Sequence, residues 1–185
     1  MLAAGAGRRF GAAKQLADLD GVPLLQHAVD AMLEVPALDR VVVVLGAAGE
    51  QIGASVRFAS AEPILCEAWA EGMAASLRCG VAELGAADWV VVTLGDMPGV
   101  TPEAIEAVID GVGRFGFEVD AVRASYGGRG GHPVALSRAM LRRVAELRGD
   151  VGFRSMLQGA RVRGFEAGPL CDPTDVDTRE ELARL

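Results

Sequence analysis

The residues best suited to chemistry lie at the start of the chain, in a glycine-rich stretch with three cations. Residues 2–11 read Leu-Ala-Ala-Gly-Ala-Gly-Arg-Arg-Phe-Gly, and Lys14 follows three residues later. Backbone N–H groups at glycines can approach an anion closely because no Cβ intervenes. Arg8, Arg9 and Lys14 add full positive charge at the same place. The stretch therefore predicts a loop that binds an oxyanion such as phosphate.

Lys14 is the only lysine in a chain that otherwise uses arginine as its long-chain cation. An ammonium is a compact point charge that can lie between phosphates, which a planar guanidinium does less well. Neither of two well-known phosphate motifs fits. The P-loop pattern fails because Gln15 follows Lys14, and the G-x-G-x-x-G pattern fails because Gly11 comes one residue too late. Residues 15–23 are typical of a loop and turn, so no crossover helix is expected directly after the glycines.

A carboxylate follows the aliphatic run at residues 89–94, which is predicted to be a buried strand. Residues 89–94 read Trp-Val-Val-Val-Thr-Leu, and Asp96 comes two residues after them. Ligands of parallel α/β sheets bind at the carboxyl ends of the strands, where Asp96 would lie. Mg²⁺ usually takes one or two protein carboxylates and fills its other positions with phosphate oxygens and water. We therefore interpret Asp96 as a Mg²⁺ ligand, with a turn-forming aspartate before Pro98 as the alternative.

A second carboxylate is available near the carboxyl terminus. Asp175 and Asp177 are two residues apart, so in an extended segment they point to opposite sides and at most one should reach the metal. The spacing does not choose between them.

A third group, residues 127–134, contains four glycines, Arg129 and His132. No triad accompanies His132, so contact with a substrate is favoured over a role as catalytic base; His27 is interpreted as structural.

The rest of the chain alternates between helical and strand patterns. Helices are predicted over residues 23–34, 73–84, 137–147 and after Thr101 and Thr178, and strands over residues 40–45, 55–60, 89–94 and 120–125. Such alternation predicts a three-layer α/β/α domain around a mostly parallel sheet. Without repeats or linkers, residues 1–185 are expected to form one domain.

Composition excludes several classes of protein. The net charge of −7 and the absence of a basic face argue against nucleic-acid binding. Three widely spaced cysteines are neither a disulfide framework nor a zinc motif. No apolar run is long enough to span a bilayer and no signal peptide is evident, so a cytoplasmic protein is expected.

Six motifs together resemble the molybdenum cofactor nucleotidyltransferases, nearest to the molybdopterin cytidylyltransferase branch. They occur in the family's order over almost the whole chain: LAAGAGRRFG with Lys14, WAEGMAASL (69–77), GDMPGVTP (95–102), GGRGGHPVALSR (127–138), LRGDVGFRSML (147–157) and DVDTREEL (175–182). The resemblance implies a nucleotide-diphospho-sugar-transferase-like fold, a nucleoside triphosphate, Mg²⁺, and a pterin monophosphate as acceptor. LAAG, where the guanylyl-transferring branch tends to have LAGG, favours CTP over GTP.

The resemblance also assigns roles to residues. It implies catalysis by Lys14, Arg9 and Asp96, with Asp96 and either Asp175 or Asp177 on the metal. The nucleotide-binding residues that it implies are Leu2, Ala3, Ala4, Gly5, Ala6, Gly7, Lys14, Gly72, Ser76 and Asp96, of which Gly72 and Ser76 belong to the segment that faces the base. The acceptor-binding residues that it implies are Gly131, His132 and Pro133.

The chain departs from the family pattern at three places. Phe10 stands where a methionine is common, and Gly130-Gly131-His132 has one glycine more than usual, which bears on the role of Arg129. The first strand also lacks the apolar residues expected before Leu2. A start codon placed too late is one hypothesis for this short strand.

The expected reaction is attack by the terminal phosphate of molybdopterin or molybdenum cofactor on the α-phosphorus of the nucleotide, with release of pyrophosphate. An ionised phosphate needs no general base, consistent with the lack of a triad. The product could pass to a molybdoenzyme. Three alternatives remain: a nucleotidyltransferase acting on a sugar 1-phosphate or other small phosphate, a non-catalytic protein that delivers molybdenum cofactor, and, least favoured, a nicotinamide-dependent oxidoreductase.

Overall fold

Most of the strands are only two to six residues long. The computed structural model describes residues 1–149 and 153–185, with Arg154 described by its backbone alone. Residues 150–152, inside the fifth family-like motif, therefore lie outside the described residues. The strands are Leu2–Ala3 (β1), Asp18–Leu19 (β2), Val22–Pro23 (β3), Val42–Leu45 (β4), Glu62–Leu65 (β5), Trp89–Val92 (β6), Ala121–Tyr126 (β7), Arg129–Ser137 (β8) and Val162–Glu166 (β9).

The helices alternate with these strands along the chain. They are Leu24–Leu33 (α1), Gly49–Ser55 (α2), Met73–Leu84 (α3), Pro102–Phe115 (α4), Arg138–Val144 (α5), Phe153–Met156 (α6) and Arg179–Leu182 (α7). Short 3₁₀ turns cover Lys14–Leu16, Glu67–Glu71 and Gly116–Glu118. Among the described residues, no helix is both long and apolar enough to cross a membrane.

The main sheet is mixed but mostly parallel. Strand β1 pairs in parallel with β4, which pairs in parallel with β5. On its other side β1 meets the β6 segment through a parallel bridge between Leu2 and Leu94. Strand β8 runs antiparallel to both β6 and β7, and β9 is parallel to β7. Strand β1 thus lies in the middle of the sheet and carries the glycine-rich loop at its carboxyl end.

Helices cover both faces of the sheet, which gives three layers. Val43 of β4 packs in a cluster with Leu25 of α1 and Ile105 of α4. Its neighbour Val44 faces the other way, in a cluster with Ala75 of α3. Strand β4 is buried on both faces, which explains its unbroken run of β-branched residues. The predicted α/β/α architecture is confirmed.

Several predicted elements are confirmed, and two predictions are wrong. The helices predicted over 23–34 and 73–84 match α1 and α3, and the strands over 40–45, 89–94 and 120–125 match β4, β6 and β7. The strand predicted over residues 55–60 is absent: α2 ends at Ser55 and the strand begins at Glu62. The helix after Ser137 ends at Val144 rather than Leu147, and the Ser137 hydroxyl makes no capping hydrogen bond.

Candidate functional site

A cavity of about 220 Å³ lies at the carboxyl end of β1, where the glycine-rich loop, the residues after β6 and the carboxyl-terminal segment meet. Its lining residues are Leu2, Ala3, Gly5, Gly7, Arg8, Arg9, Lys14, Gln15, Gly95, Asp96 and Asp177. The lining combines a backbone-rich loop, three cations and two carboxylates. This is the strand edge at which α/β sheets bind ligands.

Lys14 lies between the two carboxylates. Its Nζ donates hydrogen bonds of 2.7 Å to Oδ2 of Asp96 and of 2.7 Å to Oδ1 of Asp177. The side chain is only 8% exposed, against 25% and 22% for its two partners. Burial lowers the pKa of Lys14, but the two carboxylates outweigh that effect and the pKa is raised. Lys14 is therefore a charged ammonium held between two carboxylates in the lining of the cavity.

The two carboxylates retain further capacity to accept bonds. Asp177 also forms an ion pair with Arg9, whose side chain is 74% exposed. Oδ1 of Asp96 is buried and has no hydrogen-bond partner among the described residues. No group of three or more His, Cys, Asp or Glu side chains able to hold a metal occurs in the described part of the chain. Two carboxylates suit Mg²⁺, which takes the remainder of its oxygen ligands from phosphate and water.

Asp177 reaches the cavity through a long-range backbone contact. The Val176 amide donates a 2.8 Å hydrogen bond to the Asp96 carbonyl oxygen. The Val176 side chain is buried in a cluster with Phe10 and Leu24. Directly after Asp177, Thr178 and Glu181 form a capping box that begins α7. The structure thus selects Asp177 for the site, while Asp175 is exposed and does not line the cavity.

The glycine-rich loop is held by Gln15, which sequence reasoning placed in a loop without a function. The Gln15 side chain is buried, and its Nε2 donates hydrogen bonds of 2.8 Å to the carbonyl oxygens of Ala3 and Gly5. Gly7 has a φ of +61°, and a Cβ there would clash with the Ala12 carbonyl oxygen. The only sign of this role in the sequence is the position of Gln15 next to Lys14. The hydrogen-bond partners of Gln15 are main-chain atoms, which a pattern of side chains does not reveal.

A second, more open recess of about 460 Å³ lies at the carboxyl ends of β4 and β5. It is lined by residues 46–51 with Leu65, Glu67 and Trp69. A Cβ at Gly46 would clash with the Ala4 carbonyl oxygen and lie 2.8 Å from Trp69 Cβ, so this recess adjoins the glycine-rich loop. Gly72 follows Trp69 with a φ of +114° and leads into α3.

His132 lies away from the lysine cavity. It is in β8, and its ring meets Phe153 edge-on with 4.7 Å between ring centroids. Burial lowers the pKa of His132 to about 4, and its Nε2 has no partner among the described residues. Tyr126 donates a 2.6 Å hydrogen bond to the His132 carbonyl oxygen. His132 is therefore a neutral imidazole at neutral pH, and its Nε2 is buried.

The structure brings together part of the predicted site. Leu2, Ala3, Gly5, Gly7, Arg9, Lys14 and Asp96 line one cavity. The predicted residues that do not line it are Ala4, Ala6, Gly72, Ser76, Gly131, His132, Pro133 and Asp175. Residues 127–128 are the turn between β7 and β8, and a Cβ at Gly130 would clash with the Arg123 guanidinium. Residues 129–134 belong to strand β8.

Comparison with known proteins places this arrangement in context. The family model described as MobA-like NTP transferase domain matches residues 1–165. "Nicotine blue oxidoreductase" of Paenarthrobacter nicotinovorans is 30% identical over 195 residues, which cover 100% of this chain and 94% of that protein. A "Probable molybdenum cofactor guanylyltransferase" of Pyrococcus horikoshii is 30% identical over 109 residues, covering 59% of this chain and 53% of that protein.

A cytidylyltransferase also matches. The "2-C-methyl-D-erythritol 4-phosphate cytidylyltransferase" of Ralstonia nicotianae is 35% identical over 119 residues, covering 59% of this chain and 47% of that protein. The chain thus spans about half the length of the Pyrococcus and Ralstonia relatives.

Solved structures agree over the full chain. Rv0371c from Mycobacterium tuberculosis H37Rv superposes with a TM-score of 0.87 at 30% identity, covering 99% of this chain and 93% of that one. A structure of Rv0371C in complex with manganese superposes with a TM-score of 0.83 at 28% identity, covering 100% and 94% of the two chains.

Proposed function

Because the chain belongs to the MobA-like NTP transferase domain family, we propose that it is a Mg²⁺-dependent nucleotidyltransferase. It transfers a nucleoside monophosphate, CMP from CTP, onto the terminal phosphate of molybdopterin or molybdenum cofactor and releases pyrophosphate. Of this proposal, the nucleotidyltransferase family is established by the match over residues 1–165. The nucleotide, the metal and the pterin acceptor are our inference.

The observation that carries the proposal is the position of Lys14. A buried ammonium bridges Asp96 and Asp177 directly under a loop rich in backbone N–H groups. A triphosphate is the ligand that uses all of these groups, because its oxygens accept from the amides and from Lys14 while its charge needs a divalent cation. The chemistry of phosphoryl transfer is mostly positioning and charge neutralisation, which this lining supplies.

Each group has a defined task in this mechanism. The amides of the glycine-rich loop, Lys14 and Arg9 hold the triphosphate and orient its α-phosphorus for in-line attack. The free oxygen of Asp96, together with Asp177, would hold Mg²⁺, which offsets charge on the phosphates. The manganese complex of Rv0371C supports a divalent cation in a related protein. The ionised acceptor phosphate attacks without a base.

CTP is proposed as the nucleotide on the strength of the LAAG sequence at residues 2–5. The names of the relatives include both a guanylyltransferase and a cytidylyltransferase, so the base must be tested directly. The base would lie on the side of Gly72 and Ser76, where the recess beside Trp69 adjoins the loop. The acceptor would lie on the side of Gly131, His132 and Pro133, and a molybdoenzyme would receive the product.

The assay is pyrophosphate release from CTP or GTP, with Mg²⁺ and molybdenum cofactor, by the wild type and by Lys14→Ala. We expect release only when nucleotide, metal and acceptor are all present, with CTP preferred. Pyrophosphate release with a sugar 1-phosphate in place of the pterin would mean that the acceptor is a sugar phosphate. Tight pterin binding without release for any nucleotide would indicate a delivery protein instead of an enzyme.

A second candidate function follows from the full-length relative named as an oxidoreductase. That relative matches the whole chain, and its name is that of an oxidoreductase and not of a nucleotidyltransferase. The test of this candidate is reduction of a dye-like acceptor by NADH or NADPH. The reaction is measured as the loss of absorbance of the reduced cofactor. Equal turnover of the wild type and Lys14→Ala in that assay would favour the oxidoreductase over the nucleotidyltransferase.

A further inference from the structure

Lys14 occupies the place where the two carboxylates of the cavity converge. Its Nζ lies 2.7 Å from Oδ2 of Asp96 and 2.7 Å from Oδ1 of Asp177. Mg²⁺ binds oxygen at about 2.1 Å, so a metal ion shared by the same two oxygens would lie within about 4 Å of the ammonium. Two cations that close repel each other strongly. The ammonium and a metal ion therefore compete for this pair of oxygens.

The other two carboxylate oxygens do not offer a metal ion an easier place. Oδ2 of Asp177 is paired with Arg9. Oδ1 of Asp96 is buried and has no hydrogen-bond partner among the described residues, so it supplies at most one ligand. A metal ion therefore gains both carboxylates only when Asp177 is released by its cationic partners. Of these, Lys14 is the one that also holds Asp96.

The charge of the cavity also disfavours a metal ion that arrives alone. Three cations, Arg8, Arg9 and Lys14, and two carboxylates line the cavity, which gives a formal charge of +1. A divalent cation that enters alone adds to this positive charge. A divalent cation that enters with a triphosphate brings more negative charge than positive. Electrostatics thus favours the pair of ligands over the metal ion by itself.

A triphosphate would give Lys14 another partner close by. Gly5 and Gly7 of the glycine-rich loop line the same cavity, and phosphate oxygens on that loop would accept charge-assisted hydrogen bonds from the ammonium. The backbone next to Lys14 is tied to the loop, because the Gln15 side chain donates to the carbonyl oxygens of Ala3 and Gly5. Transfer of the ammonium from carboxylate to phosphate is therefore a movement of the flexible Lys14 side chain.

We propose that Lys14 keeps the metal position closed until a triphosphate arrives. The ammonium then exchanges the two carboxylates for phosphate oxygens, which frees Asp96 and Asp177 to bind the divalent cation that accompanies the nucleotide. This inference rests on the proposed function and adds an order of assembly to it. Free metal ion binds weakly, whereas metal ion and nucleotide bind together.

The test measures binding of Mn²⁺ without nucleotide, because the free ion has an electron paramagnetic resonance signal that is lost on binding. Lys14→Met keeps the aliphatic stem and removes the ammonium. Arg8→Met is the matched control, since it removes a cation from the same lining but leaves the bridge between Asp96 and Asp177 in place. We expect the Kd for Mn²⁺ to fall at least about tenfold in Lys14→Met and to stay within about twofold of the wild type in Arg8→Met.

A second titration, by calorimetry, adds CTP or GTP in the presence of Mn²⁺. The wild type should bind the nucleotide more tightly than Lys14→Met, because the lysine then contacts phosphate. In the wild type, nucleotide should also tighten the binding of Mn²⁺.

Two results would overturn the proposal. One is equal affinity of the wild type and Lys14→Met for Mn²⁺ alone. The other is an equal gain in Lys14→Met and Arg8→Met, which would mean a general effect of charge. Lys14→Gln, another neutral variant, gives the same comparison if Lys14→Met does not fold. The proposed function fails separately, if the wild type binds no nucleoside triphosphate in the presence of Mn²⁺.

Discussion

The Lys14 ammonium separates two carboxylates and faces the loop that would hold phosphates. If it acts on charge that develops during transfer, Lys14→Ala should lower turnover by about 10²–10³, the scale of one preorganised electrostatic contact. Steady-state kinetics of pyrophosphate release measures this effect. Turnover close to wild type would remove Lys14 from the mechanism.

A matched variant separates charge from shape at the same position. Lys14→Arg keeps the positive charge between Asp96 and Asp177 but replaces a point charge by a planar guanidinium. It should retain more thermal stability than Lys14→Ala, which leaves two carboxylates facing each other. It should still lose most of the turnover. Full activity in Lys14→Arg would contradict a specific need for an ammonium.

Asp96 offers the clearest test of the metal. Asp96→Asn keeps an oxygen that can accept from Lys14 but removes the negative charge, so the Mg²⁺ concentration needed for half-maximal activity should rise at least about tenfold, and maximal turnover should fall. Asp175→Asn, at an exposed carboxylate outside the cavity, is the control and should behave as wild type. An unchanged Mg²⁺ requirement in Asp96→Asn would place the ligand elsewhere.

The buried imidazole of His132 predicts a pH dependence of stability. Its pKa in the folded state is about 4, below the ordinary value near 6.5, so the unfolded chain takes up the proton first as pH falls. The contribution of His132 to the free energy of unfolding should therefore be constant above pH 6.5 and decrease by up to about 3 kcal/mol between pH 6.5 and 4. Urea unfolding of wild type and His132→Gln measures it.

The comparison between the two chains isolates His132 from other titrating groups. His132→Gln cannot titrate in this range, so its stability should fall less steeply with acid than that of the wild type. His27→Gln leaves His132 in place and should retain the steep loss. Identical acid dependence of wild type and His132→Gln would mean that His132 is not held neutral by burial.

At the scale of elements, the glycine-rich loop depends on Gln15. Gln15→Leu removes two hydrogen bonds and leaves the Ala3 and Gly5 carbonyl oxygens unpaired, which should cost about 2–3 kcal/mol of stability. It should also raise the KM for nucleotide several-fold, because the amides of the loop lose their fixed orientation. Thermal unfolding and steady-state kinetics measure the two effects.

Gln26 provides a control of the same chemistry at another place. It is equally buried, and its Nε2 donates to the Arg57 carbonyl oxygen and to Asp30, away from the cavity. Because its Oε1 also accepts from the Arg57 amide, Gln26→Leu should lower stability by at least as much and leave the KM for nucleotide unchanged. A rise in KM in both variants would show that general destabilisation, and not the orientation of the loop, is responsible.

The elements that sequence predicts well are those with a clear period. The apolar spacing of α1 and α3 and the aliphatic runs of β4 and β6 each match a single kind of structure. Strand β8 escapes such reasoning because Gly130, Gly131 and Pro133 are all poor strand formers. It forms because β6 and β7 pair with it on both sides, which is a tertiary effect.

The same distinction holds for the site. Asp96 is predictable because it follows a buried strand, and such positions meet at the ligand edge. Asp177 is not predictable from spacing, since a backbone hydrogen bond from Val176 to Asp96, 80 residues away, decides which aspartate enters. The role of Gln15 is hidden for a similar reason, because its partners are main-chain carbonyls. Long-range contacts complete a site that local patterns only outline.

At the scale of the whole molecule, a net charge of −7 opposes the approach of a triphosphate. Arg8, Arg9 and Lys14 counter this locally, but two carboxylates line the same cavity. Nucleotide binding should therefore need a divalent cation, which neutralises the carboxylates and phosphates together. The recess beside the loop should then determine which base is accepted.

The most direct measurement is a thermal-shift panel with CTP, GTP, ATP and UTP, each with and without Mg²⁺, on the wild type and on Asp96→Ala. A ligand that binds only the folded state stabilises it by about 2.7 kcal/mol at a hundredfold excess over Kd. We predict a rise in melting temperature for CTP that requires both Mg²⁺ and Asp96. The absence of any shift, or an equal shift in Asp96→Ala without Mg²⁺, would contradict a metal-dependent nucleotidyltransferase.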